Sequence, residues 1–254
     1  MIEHIEQGTL DPNIRACIAL TSWKKRINTV GLTIYNLFET CGPDYHIVLT
    51  LAEEEFPKKE QELPRDLMLM NKAGVFEILW CKRNLKSFKK WFYCAARYPK
   101  VPVITADDDC LYLYNYANEL YNTWTENKRK VITETSGCNM WGYATLYPPN
   151  LPLEWYRIND IIKDCLSINL IHDDLFMTFY LYANGIKIKS LHKPMNWVAV
   201  THSTIDSLLP GRKGDTCANV RSQGPLFNVF NHTSPYLPAG SSGGTNFVST
   251  PISR

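Results

Sequence analysis

Short apolar runs alternate with longer amphipathic stretches through the first hundred residues. The runs at 16–20 (ACIAL), 46–51 (HIVLTL), 75–80 (VFEILW) and 102–106 (PVITA) have the length of strands and carry many β-branched residues. Between them, 27–40 (INTVGLTIYNLFET), 57–72 (PKKEQELPRDLMLMNK) and 87–99 (SFKKWFYCAARYP) space their apolar residues three and four apart, the repeat of a helix face. Strand and helix in alternation predict an α/β fold, a parallel sheet with helices on both faces. Ligands of such sheets bind beyond the carboxyl ends of the strands.

The second half is less regular. Residues 130–135 (KVITET), 186–191 (IKIKSL) and 197–202 (WVAVTH) read as strands, and 173–185 (DDLFMTFYLYANG) as a helix closed by Gly185. A second lobe on a shared sheet is expected. From Gly211 onward Gly, Ser, Pro and Asn dominate, the composition of a loop or mobile tail. No internal repeat or heptad pattern is present.

Composition narrows the functional classes. A chain of 254 residues is long enough for one compact domain with a large core. Lysine and arginine number 27 against 25 acidic residues, a net charge of +2, so general electrostatic capture of nucleic acid is not expected. The eight cysteines lack the short spacings of zinc or redox motifs and read as core residues in a reducing compartment. The opening MIEHIEQGTL lacks a basic-then-apolar leader pattern, and no apolar run approaches the roughly 20 residues of a membrane span. The expected setting is cytoplasmic, with peripheral attachment to a membrane surface left open.

The candidate chemistry starts at VPVITADDDC, where Asp107, Asp108 and Asp109 follow a strand directly. On an extended backbone Asp107 and Asp109 converge while Asp108 points away. Two converging carboxylates suit a hard divalent cation, magnesium or manganese, completed by waters and substrate phosphates. The plainer alternative is a helix cap for 111–124 (LYLYNYANELYNTW). One aspartate satisfies a cap; three adjacent carboxylates repel one another unless a cation is present.

Asp173 and Asp174 open the later helix, either as caps or as a base that deprotonates an acceptor. After the first strand, LTSWKKRI supplies the hydroxyls of Thr21 and Ser22 and the donor fork of Arg26. NLKSFKKWF (84–92) opens a helix with Ser87 as the expected cap and Lys86 or Lys90 able to reach a phosphate. His202, at the end of WVAVTH, is a candidate third metal ligand, against the commoner structural role of a lone histidine.

These stretches in this order resemble glycosyltransferases of the GT-A fold, particularly bacterial enzymes of surface or capsular polysaccharide synthesis. The residues that carry the resemblance are LTSWKKRI, EEEFPKKEQELP, LKSFKKW, YPKVPVITADDDCLY, LYPPNL and DDLFMTFYLYANGIKI, from about residue 15 to about 190. The resemblance implies a Rossmann-type mixed sheet in one domain over 1–210, with a nucleotide-binding lobe at about 14–110 and an acceptor lobe at about 111–210. It implies that the triplet is a DxD element, Asp107 near the donor ribose and Asp109 on a Mn2+ or Mg2+ ion that holds a nucleotide-sugar diphosphate. It places Thr21, Ser22 and Arg26 around the nucleotide, Asp173 and Asp174 near a glycan or lipid-linked glycan acceptor, and GYATLYPPNL (142–151) around the sugar and acceptor pocket. Trp23 and Lys24 stand where such enzymes often carry other residues, and the tail beyond 203 matches no part of the pattern.

The activity these features imply is transfer of a sugar from a nucleotide-sugar donor, UDP-linked by the resemblance, to a glycan hydroxyl. A phosphohydrolase or nucleotidyltransferase is the competing enzyme class, although the acidic motif then belongs on the first strand rather than the fourth. A glycan-binding module is the non-catalytic competitor. Aromatic residues, 12% of the chain, suit sugar stacking under either reading.

Overall fold

An interior strand of the sheet is β1 (Ala16–Thr21), and its side chains are buried on both faces from Ala16 to Leu20. That double burial explains why ACIAL is continuously apolar rather than alternating. In the computed structural model, which describes residues 5–128, 130–133, 144–151, 162, 173–191 and 197–199, β1 pairs in parallel with β2 (Tyr45–Ala52) on one side. β3 (Glu77–Cys81) continues the sheet beyond β2, also parallel. On the other side of β1 lies β4 (Val103–Ala106), parallel again.

The chain therefore winds outward through β2 and β3 and returns to the opposite flank of β1. That reversal makes the seam between β1 and β4 the switch point of the sheet, where the outgoing loops diverge and leave a crevice at the carboxyl ends. Beyond β4, the sheet becomes mixed. β5 (Cys110–Tyr112) leaves it to pair antiparallel with β9 (Trp197–Ala199), while β6 (Val131–Thr133), β7 (Ala144–Tyr147) and β8 (Ile188–Ser190) complete it in the order β3-β2-β1-β4-β7-β6-β8. β7 is antiparallel to both β4 and β6.

Helices cover both faces. Ile18, Leu20, Leu49 and Leu51 pack against α1 (Val30–Cys41), α2 (Arg65–Lys72) and α4 (Tyr116–Glu126) through Ile34, Leu37, Leu67 and Leu120. Cys17, Ala19 and Val48, one residue out of phase, face α3 (Lys89–Arg97) and α5 (Asp173–Ala183) through Trp91, Phe92, Phe176 and Leu181. Cys17, Cys41, Cys81, Cys94 and Cys110 are buried free thiols. Among the described residues no helix is long and apolar enough to cross a membrane.

Three local expectations change. The stretch 57–72 is not one helix: Pro64 separates a 3-10 turn (Lys59–Glu62) from α2, because proline cannot continue a preceding helix. The stretch 111–124 is not helical from its start, since β5 and a turn precede α4, so the aspartate triplet joins two strands instead of capping that helix. Ser87 does not cap α3; it lies in the 3-10 turn Lys86–Phe88, and Phe88 holds the N-cap position without a side-chain cap bond. Gly185 does close α5, with a φ of 67° that glycine adopts without steric cost.

Candidate functional site

Two loops meet at the switch point. The loop after β1 carries Ser22 and Arg26, and the loop after β4 carries the triplet. The Ser22 hydroxyl donates to Asp108 Oδ2 at 2.6 Å, and the Arg26 guanidinium donates to Asp108 Oδ1 at 2.6 Å. Arg26 also lies 3.1 Å from Asp109 Oδ2, so one cation spans two adjacent carboxylates. Asp108 is 7% exposed. Its carboxylate is turned inward towards Ser22 and Arg26, but by a turn at Asp108–Asp109 rather than by the extended backbone expected from the sequence, because β4 ends at Ala106.

The backbone of the triplet is held from below. Thr33 on α1 donates to the Asp108 carbonyl at 3.0 Å. The Asp107 N–H donates to the Tyr112 hydroxyl at 2.7 Å, and Tyr112 is itself fixed by Asn36, which accepts from its N–H and donates to its carbonyl. A tight connection between β4 and β5 thus rests on α1.

Asp107 and Asp109 face one another across this connection. One ligand atom each from Asp107, Asp109 and Cys110 lies within 4.8 Å of the other two. Burial pushes the Asp109 carboxyl up to about 6; Arg26 opposes that, and Asp107 and Asp108 add to it. Burial also pushes the Cys110 thiol far up, followed by the three aspartates, so it stays protonated. Hard cations take oxygen in preference to sulfur, so the two carboxylates are the donor set offered to magnesium or manganese. Oxygen donors of this kind fit magnesium or manganese, with waters and phosphate oxygens filling the remaining positions, and do not fit a thiolate zinc centre.

The acidic pair of α5 reaches the same place. Lys90, in the first turn of α3, donates to Asp107 Oδ1 at 2.8 Å and lies 3.0 Å from Asp173 Oδ2. Burial alone would lower its pKa, but Asp107, Asp173 and Asp174 outweigh burial and hold it well above the ordinary lysine range. Among the side chains named here, five carboxylates face two cations, an excess of negative charge that a divalent ion would reduce.

The other candidates fall as follows. Thr21 donates to the Thr50 carbonyl on β2 at 2.6 Å, beside the crevice. Lys86 is exposed, and its N–H is held by Asn84 Oδ1. Pro148–Leu151 lie at the opposite end of the sheet from the triplet, because antiparallel β7 sets Ala144 against Ala106 and Tyr147 against Val103. Tyr147 is the part of LYPPNL that reaches the site: it is buried against Trp91, and its hydroxyl lies within the field of Asp174, Asp173 and Lys90; Gly142, His202 and the segment 211–254 lie outside the described residues.

One buried ion pair was not anticipated. Lys89, 1% exposed, reaches Glu55 Oε2 at 3.1 Å and Asn84 Oδ1 at 2.9 Å, tying together the loops after β2 and β3. The doublet Lys89-Lys90 was its only signal: successive residues on a helix point about 100° apart, so the two ammoniums serve different loops.

No protein-family model and no curated protein matches the sequence. Solved structures do match in shape. One is GalNAc-T7 with UDP, GalNAc and Mn2+, at 14% identity and a TM-score of 0.38, over 47% of this chain and 22% of that one. Another is the mannosyltransferase PcManGT from Pyrobaculum calidifontis in complex with GDP-Man and Mn2+, at 9% identity and a TM-score of 0.51, over 91% of this chain and 67% of that one. The chain thus spans about a fifth of the length of the first and two thirds of the second. At 9% identity the likeness is one of architecture, and with the mixed seven-stranded sheet flanked by helices it gives this chain the GT-A fold.

Proposed function

We propose that this protein is a metal-dependent glycosyltransferase that moves a sugar from a nucleoside diphosphate sugar to a hydroxyl of a glycan acceptor. The observation that carries the reading is the meeting of Asp107 and Asp109 at the switch point of the sheet, with Asp173 joined to Asp107 through Lys90. The Mn2+ and GDP-Man in the mannosyltransferase of the same fold support the cofactor and donor class. Uridine is proposed as the base on the resemblance of the LTSWKKRI and triplet stretches.

Asp107 and Asp109 would hold Mn2+ or Mg2+. That ion supplies Lewis acidity and a template for the diphosphate. Arg26, fixed beside Asp109, adds positive charge next to the leaving group. Ser22 and Asp108 hold Arg26 in place, and Thr21 flanks the nucleotide. The acceptor oxygen attacks the anomeric carbon, the bond from that carbon to the diphosphate oxygen breaks, and the nucleoside diphosphate leaves with the bonding pair. In an inverting reaction the acceptor proton passes to a carboxylate. Proton acceptance is assigned to one of the two carboxylates that open α5, Asp174 in preference to Asp173, on the resemblance. Synthesis of a bacterial surface polysaccharide in the cytoplasm, on a lipid-linked acceptor at the membrane surface, is the setting proposed.

The test is the melting temperature with UDP, GDP, CDP or ADP, with and without Mn2+, on wild type and Asp109→Asn. A ligand at about 100 times its Kd stabilises by roughly 2.7 kcal/mol, which raises Tm by about 5–10 °C for a chain of this size. The expected result is a rise with UDP that needs both Mn2+ and Asp109. A rise with another nucleotide reassigns the base, and no rise with any of them refutes the donor site.

A further inference from the structure

We propose that Lys90 is a positioning residue that couples the two acidic motifs, so that a change at Asp173 on α5 alters the affinity of Asp107 for a divalent cation. The inference rests on the reading of the triplet as the metal site. It assigns the ammonium a different task from contact with a substrate phosphate.

Lys90 is 7% exposed, and both of its ion pairs are short: 2.8 Å to Asp107 and 3.0 Å to Asp173. Asp107 is in turn the more exposed partner, at 31% of its side chain, against 15% for Asp173. The ammonium therefore stands behind the carboxylate that faces the crevice and in front of the one that opens α5. Its neighbour Lys89 is taken up by Glu55 and Asn84 and does not substitute for it. Asp107, after β4, and Asp173, the first residue of α5, are far apart in the chain, and among the described ion pairs Lys90 is the link between them.

A single cation shared by two carboxylates creates a competition. A divalent ion arriving at Asp107 weakens that residue's hold on Lys90 and shifts the ammonium towards Asp173. Loss of the charge on Asp173 has the reverse effect: Lys90 is then left to Asp107 alone and opposes the incoming ion more strongly. Because coupling between sites is reciprocal, occupation of the donor side also fixes the carboxylate beside the proposed base. Partial burial keeps these charges from being screened by water, so the effects fall in a measurable range.

Titration calorimetry with Mn2+ alone tests this on wild type, Lys90→Met, Lys90→Arg, Asp173→Asn and the Lys90→Met/Asp173→Asn double variant. Lys90→Met is expected to bind Mn2+ roughly three- to tenfold more tightly, because a competing cation has gone. Lys90→Arg, which keeps the charge, is expected to stay near wild type. Asp173→Asn is expected to weaken binding by roughly tenfold in the wild-type background and by clearly less beside Lys90→Met. A lysine that merely supports the fold would not tighten metal binding when removed. Unchanged or weaker Mn2+ binding in Lys90→Met overturns the proposal, as does an equal effect of Asp173→Asn in both backgrounds. If Lys90→Met does not fold, unchanged Mn2+ affinity in Asp173→Asn overturns it. Mn2+ binding by wild type with indistinguishable variants removes this inference and leaves the proposed function standing; no Mn2+ binding by wild type at millimolar concentration removes both.

Discussion

The Ser22 hydroxyl donates to Asp108 Oδ2 at 2.6 Å across the seam between β1 and β4. Ser22 is 3% exposed and Asp108 7%, so this contact and the Arg26 ion pair are sheltered from water. Removing the hydroxyl leaves a buried carboxylate oxygen short of one donor, at a cost of about 1–3 kcal/mol. Ser22→Ala is therefore expected to lower Tm by roughly 2–12 °C. Urea unfolding should show the loss in the midpoint with the slope unchanged.

Asp108 and Asp109 are adjacent but should respond by different amounts. Asp108→Ala leaves Arg26 without its closest carboxylate, and breaking a buried pair costs about 3–5 kcal/mol. Asp109 carries a charge that burial and its acidic neighbours disfavour, so Asp109→Asn should leave metal-free stability within about 1 kcal/mol of wild type. Thermal melts at pH 7.5 with a chelator separate the two. A large loss in Asp109→Asn under those conditions would mean that Asp109 braces the loop, and would undercut its use as a metal ligand.

The architecture was legible in the sequence where burial alone sets the pattern. ACIAL and HIVLTL are apolar throughout because β1 and β2 are covered on both faces, and the aspartates follow a strand because β4 ends at the crevice. Pro64 was a visible break in 57–72 whose consequence was passed over. The three-residue β5 was not legible, because its strand character comes from pairing with Trp197–Ala199 across a long stretch of chain. The same holds for the site. The pairing of Asp107 and Asp109 is expected from alternation, but the structure brings them together through a turn after β4; the choice of Asp108 for Ser22 and Arg26, and of Asp107 and Asp173 for Lys90, depends on which segments the sheet order brings together.

At the other end of the sheet, Glu77 predicts a pH response independent of the crevice. His46 Nε2 lies 2.7 Å from Glu77 Oε2, the Tyr98 hydroxyl donates to the same oxygen, and Arg97 Nε stands 3.7 Å from Oε1. Burial tends to raise the Glu77 carboxyl, but His46, Tyr98 and Arg97 outweigh it and hold the group below its ordinary value of 4.5. A carboxyl lowered by folding contributes stability that is fully present above 4.5 and is lost as pH falls through the lower folded value. Glu77→Gln should therefore cost about 1–3 kcal/mol near pH 7, with the difference from wild type shrinking below pH 4.5. Melting curves for both proteins between neutral pH and the acid limit of folding measure it. A difference that grows on acidification would reverse the sign assigned here.

Tyr112 tests whether the shape of the triplet, beyond its charge, sets cation affinity. Its hydroxyl accepts from the Asp107 N–H at 2.7 Å, and Asn36 clamps its backbone from α1. Tyr112→Phe keeps the ring, which lies 1% exposed against Tyr116, and removes the hydroxyl that accepts from the Asp107 N–H. The Asp107 N–H then loses its partner, costing about 1–2 kcal/mol of stability. Every carboxylate remains in the sequence, so an affinity set by charge alone would not change. If the connection between β4 and β5 must hold Asp107 against Asp109, Mn2+ affinity should fall by roughly three- to tenfold. Asn36→Ala offers a second route, because it removes both bonds to the Tyr112 backbone without changing any charge. A matching fall in both variants would assign the effect to the support from α1, and normal Mn2+ affinity in both would show that the triplet keeps its geometry unaided.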